Sequence, residues 1–212
     1  RDGQPLWAGT TPYDVEAKRR KEKEQKHGSV GVGFGATLKR QEAFYKLHVQ
    51  DLFFPVVLRA KLDNIAKYYG FEVDLMNFLE DVQDATQFFD LKEEDFLTGY
   101  NCVFEGAQGI LLDQDFGFFP NVTPSNTTSK NALEIISRVV GPNSIIDLNI
   151  YYVTRTYQTR HGNGFMSNER TLDIRNNENE TNRPHEFQGN FRVGDLDPSL
   201  INYAITCDLS YH

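Results

Sequence analysis

Cysteine is scarce in this chain, which has only Cys102 and Cys207 among 212 residues. The two form no C-x-x-C pair and no plausible zinc set, so the sequence predicts no metal site. No apolar run approaches the roughly 20 residues of a membrane span, and the first residues lack the apolar stretch of a signal peptide. These absences predict a cytoplasmic protein that does not cross a membrane. The lack of an initiating Met indicates that the natural chain begins upstream.

Positive charge is also in short supply. Lys and Arg number 22 against 30 Asp and Glu, which gives a net charge of −8 and a pI near 5.1. This balance argues against nucleic acid as a partner. A bound phosphate would therefore have to be held by local donors. At 24.3 kDa the chain can bury one sizeable core, and we expect a single domain over residues 1–212.

Hydrophobic periodicity predicts both helices and strands. Apolar residues recur at helical spacing within residues 55–69 and 73–88. Start and stop residues or Lys/Glu pairs favour further helices, so the predicted helices are residues 12–26, 39–51, 55–69, 73–88, 128–140 and 198–204. Short apolar or alternating runs predict strands at residues 101–105, 145–157 and 205–209. Strands separated by helices favour an α/β fold with a mixed, partly parallel sheet flanked by helices, and with a helical lobe at about residues 39–100.

The segment from Phe104 to Thr128 carries the most chemistry. An apolar run ends in small residues around Gln108, where a ligand can approach the backbone closely. Several hydroxyls of the kind that bind phosphate oxygens follow, at Thr123, Ser125, Thr127 and Thr128. An amide that reads a base edge and a hydroxyl cluster for a phosphate indicate a mononucleotide site. A strand, a glycine turn and a Ser/Thr-rich loop without a ligand remain the alternative.

The text FEGAQG at residues 104–109, with the Asp, Pro and SNTT residues after it, resembles the central motif of the adenylosuccinate synthetase family. Residues 28–35 resemble that family's glycine loop, and residues 159–164 resemble its Thr-Arg-Val-Gly-Ala-Gly turn. A looser match covers residues 185–187 and 194–197. The resemblance is collinear over roughly residues 11–212.

This resemblance implies a purine-biosynthesis ligase related in fold to the P-loop NTPases. In the family, GTP phosphorylates O6 of IMP, and L-aspartate then displaces the phosphoryl group to give adenylosuccinate. The implied cofactors are Mg²⁺ and GTP, and the implied assembly is a homodimer. Phosphoryl transfer of this kind depends largely on positioning and charge neutralisation.

The same resemblance implies roles for particular residues. Gln108 stands where the family's glutamine binds the O6 end of the base, and it is the one catalytic residue implied here. Thr123 matches the threonine of the IMP 5′-phosphate site, and Ser29 and Val30 stand in the glycine loop beside a second phosphate-binding position.

Three more residues complete the implied substrate site. His161 and Gly162 match the turn whose backbone contacts the ribose. Arg192 is the one arginine retained where the family has a run of them serving the substrate aspartate and the ribose. Lys39 and Arg40 are the nearest substitutes for the arginine that the family lends across its dimer interface.

The sequence also departs from the family pattern. The N-terminal phosphate loop with its aspartate, the histidine that follows it and the C-terminal guanine-reading segment have no counterpart. The chain is then either the middle part of a longer divergent synthetase or a degenerate paralogue, and as given we expect it to be inactive. A non-catalytic purine-nucleotide-binding or interaction protein is the alternative, as is a variant ligase for another purine monophosphate such as dGMP.

Overall fold

The computed structural model describes residues 9–24, 32–141, 146–174 and 189–212, which divide into two compact units, Arg1–Leu91 and Lys92–His212. The described residues form a mixed α/β structure with six α-helices and one two-stranded sheet. None of these helices is long and apolar enough to cross a bilayer.

The first unit is helical. Its helices are α1 (Pro12–Glu24), α2 (Phe34–Glu42), α3 (Pro55–Tyr69) and α4 (Met76–Ala85), with a 3₁₀ helix at Val49–Phe53. The predicted helices at residues 12–26, 55–69 and 73–88 are thereby confirmed, apart from the last residues of the first, which lie outside the described residues. Helix α3 has Pro55 in its first turn and Gly70 in the left-handed conformation after its end, the usual start and stop residues.

The helix predicted at residues 39–51 is wrong in both bounds. The observed helix, α2, begins earlier than predicted. The residue before it, Gly33, has a φ of +88° and packs on α1, where an added Cβ would lie 2.8 Å from the Val15 nitrogen. Helix α2 ends early because Phe44 takes a φ of +68°, and the Tyr45 N–H then closes the helix on the Arg40 carbonyl at 3.1 Å.

An ion pair lies within the core of this unit. The buried apolar side chains are Tyr13, Leu47, Leu58, Leu62 and Ile65. Beside them Arg40 Nε donates to Asp14 at 2.8 Å, and both side chains are fully buried.

Asp14 is the centre of this buried polar network. Its carboxylate also accepts from the Thr11 N–H at 2.7 Å and from the Tyr69 hydroxyl at 2.7 Å. Burial, with the hydrogen bond to Asp14 second, raises the pKa of Tyr69. Arg40 additionally donates to the Gly9 carbonyl at 2.8 Å. Because Arg40 is enclosed in this way, it cannot also be lent across a dimer interface, so that expectation is wrong for Arg40.

The second unit contains helices α5 (Lys130–Val140) and α6 (Pro198–Leu209) and strands β1 (Gln158–His161) and β2 (Phe191–Gly194). The strands pair antiparallel, with Arg160 opposite Arg192. Glu169 forms an isolated bridge to Gly194, which places the segment around Glu169 beside the end of β2. The helix predicted at residues 128–140 is confirmed.

The strand predictions differ from the structure. Residues 101–105 and 146–157 form no ladder among the described residues, and Val103 and Val153 are 94 % and 93 % exposed. An alternating pattern gives a strand one apolar face that can be buried. A strand also needs a neighbouring strand to hydrogen-bond with, and the pattern does not show whether one exists. The larger, partly parallel sheet stays a prediction.

The strand predicted at residues 205–209 is instead the end of α6, since a short apolar run suits a helix and a strand equally. Buried Asp208 secures this end, accepting from the Ser129 N–H at 2.6 Å and from the Tyr152 hydroxyl at 2.7 Å. Burial and the Asp208 carboxylate together raise the pKa of Tyr152 to about 12.

Candidate functional site

Asp113 organises the loop that contains the FEGAQG text. Its carboxylate is fully buried and accepts from the Asp115 N–H at 2.8 Å, the Phe116 N–H at 3.3 Å and the Thr127 N–H at 2.6 Å. A carboxylate that accepts several backbone N–H groups fixes a loop without regular secondary structure. Residues 113–127 are thus folded around one acidic side chain.

Close packing adds to this constraint at Gly117. A Cβ there would lie 2.5 Å from the Asp113 carbonyl oxygen and 2.7 Å from a Val122 methyl group, so only glycine fits. The Thr123 N–H donates to the Leu112 carbonyl at 2.8 Å, which brings the two sides of the loop together.

Gln108 lies at the start of this loop in an unusual conformation. Its φ of +66° falls in the left-handed region, which residues other than glycine seldom adopt and which occurs preferentially at functional sites. Its side chain is exposed, and its carboxamide has no hydrogen-bond partner among the described residues. Added Cβ atoms at Gly106 and Gly109 would meet open space. The amide is therefore presented on a backbone that a ligand can approach.

The four hydroxyls of the loop are not equivalent. Thr127 donates to the Gly109 carbonyl at 3.0 Å, Ser125 donates to the Asn126 carbonyl at 3.3 Å, and Thr128 accepts from the Lys130 N–H at 3.3 Å. These bonds hold the loop and the start of α5. The half-buried Thr123 hydroxyl has no such bond among the described residues. It is therefore the hydroxyl best placed to bind a ligand.

The turn after β1 is held by two arginines. Arg160 Nε donates to the Asn163 carbonyl at 2.8 Å, and Arg192 Nη1 donates to the Gly162 and Gly164 carbonyls at 3.0 and 2.8 Å. The Gly162 N–H in turn donates to the Asn190 carbonyl at 2.9 Å. Three successive carbonyls thus point at guanidinium groups.

His161 ends β1 with its ring 5.0 Å from that of Phe191, a tilted aromatic contact. Gly162 follows it with a φ of +66°. Because both the N–H and the C=O of Gly162 already hold the turn, a ribose contact at this residue would use the second lone pair of the carbonyl.

Arg192 is engaged by a carboxylate. Its Nε donates to Glu169 Oε1 at 2.9 Å, and its Nη2 pairs with the other oxygen of the same carboxylate. The hydrogen bond to Glu169 raises the pKa of Arg192 and lowers that of Glu169. The side chain expected to bind substrate aspartate therefore already binds a carboxylate of its own chain.

Arg160 joins the loop to the turn. Besides its bond to Asn163, its Nη2 donates to the Asn121 carbonyl at 2.9 Å. Asn121 lies two residues before Thr123, so this contact connects the expected phosphate segment with the expected ribose turn. The structure thus brings together the segments of Thr123 and Gly162 within one unit.

Some predicted residues are not brought into this arrangement. Ser29 and Val30 lie outside the described residues, as do residues 175–188, which include the looser match at 185–187. A cavity of about 450 Å³ in the first unit, lined by residues such as Thr11, Arg19 and Phe78, includes none of the predicted site residues.

The described residues do not fit a magnesium site. In the described ranges, no group of three or more His, Cys, Asp or Glu side chains could hold a metal ion. Asp113 is the most buried acid of the site, and both of its carboxylate oxygens accept hydrogen bonds from backbone N–H groups. Neither oxygen of this carboxylate is therefore left for a metal ion.

Two residues of the site were missed in the sequence. Asp113 could have been identified as a buried acid, because it follows an apolar run directly and precedes a turn. Arg160 stands within the quoted turn text, but no sequence pattern shows that a guanidinium will reach a loop 39 residues away.

Comparison with known proteins places this chain among synthetases. The profile of the adenylosuccinate synthetase family matches residues 10–210. The chain belongs to the adenylosuccinate synthetase family.

Individual relatives agree with this assignment. The adenylosuccinate synthetase of Polynucleobacter necessarius is 32 % identical over 178 residues, which cover 74 % of this chain and 39 % of that protein. The enzyme of Bordetella avium is 34 % identical over 175 residues, covering 72 % of this chain and 39 % of that protein. Adenylosuccinate synthetase 1 of Pseudoalteromonas translucida is 34 % identical over 157 residues, covering 65 % and 34 %. The chain thus spans about two fifths of the length of the curated relatives it matches.

Proposed function

We propose that this chain supplies the purine monophosphate pocket of a ligase that joins L-aspartate to IMP with hydrolysis of GTP. The observation that carries the proposal is the loop around Asp113, which leaves the Gln108 carboxamide and the Thr123 hydroxyl without partners among the described residues. An amide offers both a donor and an acceptor to a base edge without adding charge. A hydroxyl can donate to a phosphate oxygen.

The pocket binds the ligand at two ends. Gln108 reads the O6 end of the purine, Thr123 binds the 5′-phosphate, and the turn at His161 and Gly162 lies along the ribose. Ser29 and Val30 add a second phosphate contact, and Arg192 receives a carboxylate of L-aspartate. Membership in the family supports these roles.

The proposal extends to the surroundings of the pocket. GTP and Mg²⁺ are the cofactors that family membership implies, although their ligands are mostly absent from this chain. A homodimer in the cytoplasm is the working assembly, and no nucleic acid or membrane is a partner. Residues 101–105 and 146–157 belong to a partly parallel sheet related to that of the P-loop NTPases. Their exposed apolar side chains, such as Val103, support this placement.

One observation favours a second candidate, a non-catalytic purine-nucleotide-binding protein. Glu169 occupies the guanidinium of Arg192, the side chain proposed to bind L-aspartate. Nucleotide binding does not depend on Arg192, whereas L-aspartate would have to displace Glu169 to reach it. A variant ligase for dGMP would use the same pocket.

Calorimetric titration with IMP, GMP and dGMP tests both candidates. We expect one of these monophosphates to bind, and we expect Gln108→Ala to weaken binding by about 1–3 kcal/mol, the cost of losing a hydrogen-bonding group in a binding site. Gln87→Ala, which removes an exposed amide from the first unit, is the matched control. Absence of binding by all three ligands would refute both candidates, and an unchanged affinity of Gln108→Ala would leave Gln108 a structural residue of the loop.

A further inference from the structure

Arg160 is a cation without a carboxylate partner among the described residues. Its guanidinium is half-buried and bonded to two carbonyls, those of Asn163 at 2.8 Å and Asn121 at 2.9 Å. Neutral carbonyls satisfy N–H groups but do not cancel a charge. Burial, and the charge of Arg192 second, lower the pKa of Arg160.

The neighbouring Arg192, in contrast to Arg160, has a carboxylate partner among the described residues. Arg192 faces Arg160 across the two strands and is neutralised by Glu169. Among the described residues, two guanidinium groups and one carboxylate leave an excess of one positive charge at this place, in a chain whose net charge is −8. A partly desolvated charge of this kind is costly unless an anion compensates it.

Donors remain on Arg160 for such an anion. A guanidinium carries five N–H groups, and the two bonds to carbonyls use two of them. Gly164 lies directly against this side chain, since a Cβ there would fall 2.1 Å from Arg160 Nη2. The guanidinium is therefore fixed in place between the turn and the loop, and its charge is in position before a ligand arrives.

The location identifies the anion. Asn121, which accepts from Arg160, lies two residues before Thr123, whose hydroxyl has no partner among the described residues. We infer that Arg160 is the cationic partner of the ligand's phosphate monoester and binds it together with Thr123. This inference rests on the proposed function and adds to it the charge that the phosphate end requires, since a guanidinium and a hydroxyl together suit the acceptor oxygens of a phosphate.

A comparison of IMP with inosine tests the inference, because the two ligands differ only in the phosphate. Isothermal titration is done with the full chain and with Arg160→Met, Arg160→Lys and Gly164→Ala. The control is Arg155→Met, which removes an exposed arginine from the same segment. Thermal melting of each variant reports separately on its folding.

For the unaltered chain we expect IMP to bind at least tenfold more tightly than inosine. Arg160→Met should abolish this preference. Arg160→Lys should retain part of it, because lysine keeps the positive charge but lacks the planar set of N–H donors of a guanidinium. Gly164→Ala, which displaces the same guanidinium, should reduce the preference as well. Arg155→Met should retain it.

The outcomes separate the two claims. If the unaltered chain binds neither IMP nor inosine, the proposed function fails and this inference fails with it. If the unaltered chain prefers IMP and Arg160→Met keeps that preference, only the role of Arg160 is overturned. If Arg160→Met weakens both ligands equally and melts at a lower temperature, Arg160 is a structural residue of the turn and the inference is also overturned.

Discussion

Replacing Arg40 by Met is the sharpest test of what holds the first unit together. The substitution leaves the Asp14 carboxylate fully buried with its charge uncompensated. Removing one partner of a buried ion pair costs about 3–5 kcal/mol, and the carbonyls of Gly9 and Tyr45 lose their donor as well. We therefore expect a loss near the upper end of this range, which is a large part of the about 5–15 kcal/mol that stabilises a typical domain.

The assay must follow the first unit by itself, because a chain with two compact units need not unfold in one step. Hydrogen exchange of peptides from α2 and α3, measured over a urea series, gives the free energy of unfolding of that unit. Lys39→Met is the matched control, since Lys39 is exposed on the same helix, and it should change stability by less than about 0.5 kcal/mol.

A double substitution decides the mechanism. In Asp14→Asn with Arg40→Met both charges of this pair are removed. The amide oxygen can still accept from the Thr11 N–H, while the amide NH2 takes the place of the oxygen that faces the Tyr69 hydroxyl and can donate to it. The double variant should therefore be more stable than the sum of the two single losses predicts. Additive losses, or an Arg40→Met cost below about 1 kcal/mol, would refute a charge-based account of this core.

Two further predictions concern the second unit. Glu169→Gln should tighten binding of L-aspartate about two- to fivefold, because it releases Arg192 from an exposed ion pair. Calorimetry measures the affinity, and Glu134→Gln on α5 is the control. Weaker binding would show that Glu169 positions Arg192 instead. Burial by itself raises the pKa of Asp208, but the hydrogen bonds from Tyr152, Ser129 and His212 hold it below its ordinary 3.8. A depressed pKa stabilises the fold above the unfolded-state pKa and loses that effect as pH falls through the folded value. The stability of Asp208→Asn should therefore fall less steeply below about pH 4 than that of the unaltered chain. The same dependence of stability on acidic pH in both would contradict the role given to Asp208.

Sequence reasoning located the helices better than the strands, for a physical reason. A helix satisfies its own backbone hydrogen bonds, so periodicity and end residues such as Pro55 and Gly70 suffice to place it. A strand satisfies its bonds on a neighbour elsewhere in the chain. The alternation at residues 146–152 contains no information on whether such a neighbour exists, and none is paired with it among the described residues.

The site shows the same division. Gln108 and the hydroxyls that follow it stand out in the sequence by residue type, and the resemblance to the family selects Thr123 among those hydroxyls. The interactions that present these side chains could not be predicted, since they depend on Asp113 being enclosed by its own loop and on Arg160 reaching Asn121. Arg40 was misjudged for a related reason: a basic residue on a polar helix is usually exposed, and only the position of Asp14 makes this one part of the core.

Charge connects the two ends of the proposed pocket. An acidic chain repels a nucleotide at long range, so binding requires cations that its own carboxylates have not neutralised. Arg192 carries Glu169, which suits a site where one carboxylate is exchanged for another. In the part of the chain that the structure describes, Arg160 is held only by carbonyls, which suits a phosphate that arrives without a competitor already bound. The two arginines face each other across β1 and β2, and the difference in their partners is what fits them to different ends of the proposed pocket.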